Sequence, residues 1–127
     1  MWEIGVDIVD IARFGKIDLL QDKSFYDRVF TARELSYCFS FDDAAPQHLA
    51  ATFAAKEAIF KAINKHVKIS LREIEIDRKD GVPIVNLLLG KSRLPEVQDD
   101  KVQVKVTISH SQSYVVAFAL AVFKKIT

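Results

Sequence analysis

A ten-residue segment near the end of the chain, YVVAFALAVF at residues 114–123, restricts the possible folds more than any other feature of the sequence. Its β-branched and aromatic residues predict a β-strand, and apolar side chains fall on both of its alternating faces. The chain has 127 residues and fits one domain, so both faces must be covered with little protein. We predict that a helix covers one face and that a partner chain covers the other.

The remaining strand signals predict a single α+β domain over residues 1–127, with helices packed on one face of a mainly antiparallel sheet. A first strand is expected at residues 2–9, and the segments ISLREIEIDR and VPIVNLLL around the turn KDG predict a hairpin. Pro83 suits an edge strand or a strand start, because it has no N–H to donate. The run LGKSRLPEVQDD is expected to be a solvated loop. After it, VQVKVTIS alternates strictly and predicts a strand with one apolar face, formed by Val102, Val104, Val106 and Ile108.

Three helices are expected: a short one through DIARFGKI, one over about 32 to 40, and one over about 46 to 64. Thr31 and Glu34 have the spacing of a capping box at the start of the second helix. Pro46 fits the first turn of the third helix, and Asn64 can end that helix in a left-handed conformation.

The third helix has two predicted faces. Its large apolar residues form a stripe that should face the core, namely Leu49, Phe53, Ile59, Phe60 and Ile63. The opposite side is made of Ala51, Ala54, Ala55, Ala58 and Ala62. We predict that this flat alanine surface lets another backbone or a ligand come close, and that Glu57 and Lys61 lie between the two faces.

Charge and cysteine content narrow the classes of function. The 18 basic and 17 acidic residues give a net charge of +1, so the chain lacks the strong overall positive field that attracts nucleic acid. No segment reaches the roughly twenty apolar residues that cross a bilayer, and the first residues lack the lysines of a signal peptide. Cys38 is the single cysteine, and its aromatic neighbours favour buried packing over a nucleophilic role. We predict a cytoplasmic protein without an internal disulfide and without a membrane or nucleic-acid partner.

Four features could carry chemistry: Asp7 at the end of the first strand, Glu57 and Lys61 on the long helix, and SHS at 109–111. Each also has a simpler interpretation. Glu57 and Lys61 form a favourable i,i+4 helix pair worth about 0.2–0.5 kcal/mol. Asp7 could cap the following helix, and His110 lies in a turn where hydroxyl-rich sequence is expected anyway.

Taken together, these residues favour phosphoryl transfer. A carboxylate at a strand end and a second one on the margin of an alanine-faced helix could share one hard cation. Mg²⁺ is usually held by one or two carboxylates, waters and substrate phosphates. Lys61, one turn from Glu57, would face the same phosphates without competing for the metal. Catalysis of phosphoryl transfer depends mostly on such positioning and charge neutralisation.

Four blocks of the sequence resemble the signature blocks of the holo-acyl-carrier-protein synthases, which are small phosphopantetheinyl transferases. The blocks are GVDIVDIARF at 5–14, RVFTARE at 28–34, FAAKEAIFKAI at 53–63 and VTISHS at 106–111. They occur in the family's order and at about its spacing, and the FAAKEA block with an upstream GVDIV is quite specific. The resemblance covers nearly the whole chain and implies a 4'-phosphopantetheinyl transferase-like fold.

The resemblance also implies a reaction. Members of this family transfer 4'-phosphopantetheine from coenzyme A to a serine of an apo acyl carrier protein, require Mg²⁺ and release adenosine 3',5'-bisphosphate. The carrier could serve fatty acid, polyketide or another pathway. Family members are typically homotrimers with each active site between neighbouring subunits, in keeping with the doubly apolar final strand.

Residue roles follow from the same resemblance. Asp7 and Glu57 match the family's metal ligands, and Lys61 matches its phosphate-binding lysine. The residues implied in coenzyme A binding are Lys61, Asn64, Pro83, Ser109, His110 and Ser111. Arg13 and Lys16 fall where the family presents a basic surface to the acidic recognition helix of the carrier.

The implied mechanism is in-line attack of the carrier serine on the β-phosphorus of coenzyme A, with Mg²⁺ and Lys61 stabilising the pyrophosphate charge. Either Glu57 within the metal shell or a metal-bound water of lowered pKa could be the base. His110 could orient its turn or move a proton.

Two positions depart from the family pattern. Thr52 stands where arginine is usual, so one cationic contact to coenzyme A is missing or supplied elsewhere. The loop after the long helix, NKHVKIS, has no glycine, and Lys65, His66 and Lys68 add charge near the expected phosphate site. These departures keep a non-catalytic module that binds coenzyme A or a nucleotide as an alternative. A second alternative is a structural subunit that assembles through its apolar strand.

Overall fold

Five strands form two antiparallel sheets in residues 1–16, 18–88 and 102–124, the parts of the chain that the computed structural model describes. The strands are β1 Trp2–Asp10, β2 Ile74–Lys79, β3 Val82–Leu87, β4 Val102–His110 and β5 Tyr114–Phe123. The larger sheet has the order β1-β5-β4, and β2 and β3 form the smaller one. The predicted α+β class is confirmed, although the strands are divided between two sheets. The predicted loop LGKSRLPEVQDD, from residue 89 onwards, lies outside the described residues.

The described ranges also contain three α-helices: α1 Lys23–Val29, α2 Ala32–Phe39 and α3 Ala45–Ile63. The sequence did not predict α1, and the short helix expected after β1 is a 3₁₀ turn over Ile11–Phe14, capped by the Asp10 side chain. The predicted capping box of Thr31 and Glu34 at the start of α2 is confirmed. None of the helices in the described ranges is long and apolar enough to cross a membrane.

Of the two predicted ends of α3, the structure confirms the first and not the second. Pro46 lies in the first turn, as predicted. The left-handed end at Asn64 was wrong, because this residue has φ −65° and ψ −19° and its N–H donates to the carbonyl oxygen of Phe60. Asn64 thus continues the helical hydrogen-bonding pattern instead of reversing it.

The predicted hairpin is confirmed in β2 and β3. Its turn residues Asp80 and Gly81 both have positive φ, 52° and 78°. Two successive positive φ angles characterise the type I′ turn, whose twist matches that of the flanking strands. Pro83 lies opposite Arg78 in this two-stranded sheet, where a residue without an N–H is tolerated.

The helix α3 packs across β1 and β5 on the inner face of the larger sheet. Gly5 of β1 comes so near that an added Cβ would lie 1.9 Å from the carbonyl oxygen of Ala58. The residues of β5 that point to the helix are Val115, Ala117, Ala119 and Ala121, all fully buried. The alanine side of α3 therefore meets the sheet backbone and not a ligand. Both predicted sides of α3 belong to the core, and the predicted close approach of another backbone to the alanine side is confirmed at Gly5.

The other face of the larger sheet carries exposed apolar side chains, here called the outer apolar face. Its members are Trp2, Ile4, Val6 and Ile8 of β1 and Tyr114, Val116, Phe118 and Val122 of β5. They form matching rows, for example Val6 opposite Phe118. Coverage of one face of β5 by a helix is confirmed, and coverage of this face by a partner chain stays a prediction.

Candidate functional site

The strand β1 and the helix α3 bring Asp7 and Lys61 together. Asp7 lies on the inner face of β1, two residues after Gly5, where strand and helix approach most closely. The Lys61 Nζ atom is 3.1 Å from Asp7 Oδ1 and donates to the carbonyl oxygen of Val6 at 3.0 Å. The lysine is therefore tied to the strand and not only to its own helix.

Glu57 completes this cluster one helical turn before Lys61. Burial raises the pKa of Glu57, and the negative charge of Asp7 raises it further, whereas Lys61 and Arg13 act in the opposite direction. The two carboxylates thus lie close enough to repel each other. A cation between them would relieve that repulsion.

The donor set fits a magnesium ion. Asp7 and Glu57 offer carboxylate oxygens, the ligands that hard cations prefer, and Mg²⁺ commonly takes only one or two carboxylates. No group of three or more His, Cys, Asp or Glu residues that could hold a metal occurs in the described ranges. The other coordination positions of an ion here would therefore belong to water and to oxygens of a substrate.

Arg13 extends the charged cluster along the 3₁₀ turn after β1. Its guanidinium carbon lies 4.7 Å from the ring centre of Phe53 and 5.6 Å from that of Phe25. The aromatic rings hold the cation where its charge lowers the pKa of Glu57. Lys16 is exposed and lines one pocket together with Arg13. The Arg13 part of the predicted basic surface therefore lies near the carboxylates of Glu57 and Asp7.

The SHS turn divides its side chains between the two faces of the sheet, because consecutive strand residues alternate. His110 lies on the inner face with its Nε2 atom 3.2 Å from Gln47 Nε2 of α3. Ser109 is exposed on the outer face. Ser111 Oγ accepts the N–H of Tyr114 at 3.1 Å and thereby holds the turn. Within one chain, Ser109 and the acidic cluster lie on opposite faces of the sheet.

Two other residues predicted to bind coenzyme A belong to different elements. Asn64 is exposed directly after α3, three residues beyond Lys61. Pro83 lies in β3 of the smaller sheet. In the loop after α3, the His66 ring lies 4.8 Å from the ring of Phe123, and Lys65 is exposed. Asn64 therefore lies at the end of the helix that carries Lys61, whereas Pro83 lies in a different element.

The sequence did not predict the ion pair between Lys56 of α3 and Glu34 of α2, whose side chains are both fully buried. Glu34 also accepts the N–H groups of Thr31 at 2.8 Å and Ile76 at 2.7 Å. Burial lowers the pKa of Lys56, and the adjacent carboxylate of Glu34 opposes that shift. One carboxylate thus connects α2, α3 and β2. The sequence feature that could have indicated this pair is the position of Lys56 among the alanines of FAAKEA.

Thr52 and Cys38 contact each other in the core. Thr52 is 1% exposed, and its Oγ1 atom is 3.5 Å from Cys38 Sγ. Burial raises the pKa of Cys38 to about 11. Cys38 is a packing residue, as predicted, and position 52 offers no cation and no open surface to a ligand.

Comparisons with known proteins agree on one family. The model of the 4'-phosphopantetheinyl transferase superfamily matches residues 3–119. The holo-[acyl-carrier-protein] synthase of Thermodesulfovibrio yellowstonii is 38% identical over 118 residues, which cover 92% of this chain and 95% of the relative. That of Aquifex aeolicus is 40% identical over 119 residues, 91% of this chain and 94% of the relative. The Chronobacterium ammoniagenes ACPS–CoA complex matches the fold with a TM-score of 0.77 at 27% identity, covering 98% of this chain and 99% of that chain.

Proposed function

The chain belongs to the 4'-phosphopantetheinyl transferase superfamily, and we propose that it acts as a holo-[acyl-carrier-protein] synthase. In this reaction, the 4'-phosphopantetheine group of coenzyme A passes to a serine hydroxyl of an apo acyl carrier protein, and adenosine 3',5'-bisphosphate leaves. The observation that carries the proposal is the cluster of Asp7, Glu57 and Lys61 between β1 and α3. Relatives that match over most of the chain bear the same enzyme name, and one structural neighbour is a complex with coenzyme A.

In the proposed site, Asp7 and Glu57 would hold Mg²⁺, which would supply positive charge to the pyrophosphate of coenzyme A. Lys61 adds a second positive charge. An ammonium group has three donors, and two of those of Lys61 point to Val6 and Asp7. The third can donate to a phosphate oxygen. Because the other two donors are already bonded to the strand, the lysine is held in place before the substrate binds.

The attacking serine must lose its proton. Glu57 is our candidate acceptor, through a carboxylate oxygen that the cation would leave free, because it lies beside Asp7 and Lys61 where the substrate phosphates would bind. His110 is assigned an orienting role, since it contacts Gln47 and lies 3.4 Å from the carbonyl oxygen of Ser111.

The proposed active form is a homotrimer with each site between neighbouring subunits. Two features support it. The outer apolar face offers a surface for self-association, and a neighbouring copy could bring Ser109 and Pro83 to a ligand that they do not reach within one chain. Arg13 and Lys16 are the proposed contacts to the acidic helix of the carrier. We assign the reaction to the cytoplasm, in keeping with the free, buried thiol of Cys38.

The proposal is tested by incubating the protein with apo acyl carrier proteins, coenzyme A and Mg²⁺ and weighing the carrier by mass spectrometry. We expect a gain of one phosphopantetheine on the carrier's serine. The variants Asp7→Asn, Glu57→Gln and Lys61→Met should each lower kcat/KM by about 10²–10⁴-fold. Lys23→Met removes an exposed lysine of α1, which has no assigned role in the reaction, and serves as the matched control.

Two results would speak against a transferase. Absence of any mass gain on several apo carriers, with correctly folded protein, contradicts the proposal. Calorimetric binding of coenzyme A without transfer would favour the non-catalytic module instead.

A further inference from the structure

A cavity of about 420 Å³ lies between α2 and β2 and contains none of the residues assigned to the reaction above. Its wall includes two arginines, Arg33 and Arg78, and the hydroxyl-bearing residues Ser36, Tyr37 and Ser40. A cavity of this size with cations and hydroxyls in its wall has room for a small polar ligand.

Arg78 is the unusual member of this wall. Its Nη1 atom is buried and has no hydrogen-bond partner within the parts of the chain that the structure describes. The guanidinium carbon lies 5.2 Å from the ring centre of Tyr37, which fixes the group in place. A buried charged donor without a partner is costly, so such a group calls for an explanation.

The acidic residues of the wall do not supply that partner. Arg33 forms ion pairs with Asp77 at 3.2 Å and with Glu75 at 3.9 Å. Because side chains alternate along β2, these two carboxylates and Arg78 project to opposite sides of the strand. The carboxylates are thus matched to Arg33, and Arg78 forms no ion pair with a carboxylate of the described residues.

The positive charge of Arg78 affects the pKa of a nearby histidine, His48. Burial lowers the pKa of His48, and the positive charge of Arg78 lowers it further. A lowered pKa means that His48 adds less positive charge beside Arg78. Ser40 already donates its hydroxyl to the Tyr37 carbonyl oxygen at 2.6 Å. Arg78 Nη1 is therefore a charged donor of this wall without a partner among the described residues, and Ser36 and Tyr37 add hydroxyl-bearing side chains beside it.

We propose that this cavity binds a phosphate monoester, with Arg78 as the charged contact. A planar guanidinium matches phosphate oxygens in pairs, and nearby hydroxyls can donate to the remaining oxygen. Such a group is present in coenzyme A and in adenosine 3',5'-bisphosphate, on the ribose 3' oxygen, and inorganic phosphate has the same chemistry. The link to coenzyme A rests on the proposed function, whereas the link to phosphate does not.

The test is calorimetric titration of the full chain with coenzyme A, with dephospho-coenzyme A, which lacks the 3'-phosphate, and with inorganic phosphate. Wild-type protein should bind coenzyme A at least about tenfold more tightly than dephospho-coenzyme A, as expected for a charge-assisted contact. Arg78→Gln should remove this preference. Arg28→Gln removes a positive charge from exposed surface and should keep it.

Each outcome of the titration bears on the proposal. Arg78-dependent binding of inorganic phosphate, with equal affinity for the two coenzymes, supports the site and identifies free phosphate as its ligand. Unchanged binding of all three probes in Arg78→Gln overturns it. The transfer assay separates this result from failure of the proposed function, because the wild-type protein would then still modify the carrier.

A second variant guards against a purely structural role. Arg78→Met removes the unpaired charge while keeping an unbranched side chain. We expect its melting temperature without phosphate to equal or exceed that of wild type, and we expect the phosphate-induced rise seen in wild type to disappear. A lower melting temperature with unchanged phosphate binding would make Arg78 a packing residue and overturn the proposal.

Discussion

Lys61 and Glu57 are four residues apart on α3, yet Lys61 directs its ammonium group to Asp7 and to the carbonyl oxygen of Val6. A simple surface pair at this spacing would bond within the helix. Because the lysine bonds to the strand, Glu57 keeps its carboxylate oxygens free of hydrogen bonds to other described residues. The residue pattern predicted the participants, but it could not predict that the lysine crosses to a strand 54 positions away in sequence.

Cys38 provides a prediction for a single side chain. Burial raises the pKa of its thiol to about 11, from an ordinary value of 9.0. At pH 8, iodoacetamide should therefore label the native protein at least about 100-fold more slowly than the protein unfolded in urea, as mass spectrometry can show. Stability should also fall as the pH rises from about 9 towards about 11, because the unfolded thiol loses its proton first. Rapid labelling of folded protein at pH 8 would contradict the buried position.

At the scale of elements, the contact between β1 and α3 depends on Gly5. In Gly5→Ala, the new Cβ would meet the carbonyl oxygen of Ala58 at 1.9 Å, so strand and helix must separate. We expect a loss of about 1–3 kcal/mol or more in the free energy of unfolding, and a further loss of activity because Asp7 moves away from Lys61. Urea denaturation and the transfer assay measure the two effects.

Gly15→Ala is the matched control for that substitution. Its Cβ would meet the Ala12 carbonyl oxygen at 3.3 Å, a much milder contact. If both variants unfolded at the same urea concentration and kept full activity, the close approach at Gly5 would not control the site.

The buried pair of Lys56 and Glu34 connects three elements, so its loss should affect the whole domain. Lys56→Met leaves the carboxylate of Glu34 buried without its cation and should cost about 3–5 kcal/mol in urea denaturation. Adding Glu34→Gln should recover part of that loss, because the remaining amide carries no charge. Lys65→Met, at an exposed lysine, should stay within about 0.5 kcal/mol of wild type. A Lys56→Met variant as stable as this control would contradict the structural role.

Elements with local signals could be predicted from the sequence, and contacts between elements could not. The capping box at Thr31, the turn at Gly81 and the helical stripe of α3 depend on neighbours a few positions away. The helix α1 has seven residues and no side-chain cap, so its local sequence carries no helix-start signal. Burial of Lys56 depends on Glu34, which lies 22 positions earlier in the chain.

At the scale of the whole molecule, the outer apolar face departs from an ordinary monomer surface. Its members on β1 are 54–66% exposed, and they lie beside exposed residues of the neighbouring strand β5. Contiguous apolar surface of this kind usually marks a protein interface. Coverage by a second and third copy of this chain would also bring residues of neighbouring chains to each site.

Phe118→Arg should therefore prevent assembly. The substitution places a charge in the middle of the outer apolar face, opposite Val6. We expect the proposed trimer to become a monomer in size-exclusion chromatography with light scattering, and we expect transfer activity to fall with it. Leu20→Arg, at a residue that is 91% exposed and outside this face, should leave both unchanged. A wild-type protein that is a fully active monomer would contradict the proposed assembly.

If copies of the chain associate through the outer apolar face, the folded fraction depends on the protein concentration. Each copy that docks on the face stabilises only native protein, so the unfolding temperature should rise with the amount of protein in solution. Dilution should then lower heat resistance and specific activity in parallel. In the cell, the abundance of the chain would itself set the fraction that can work.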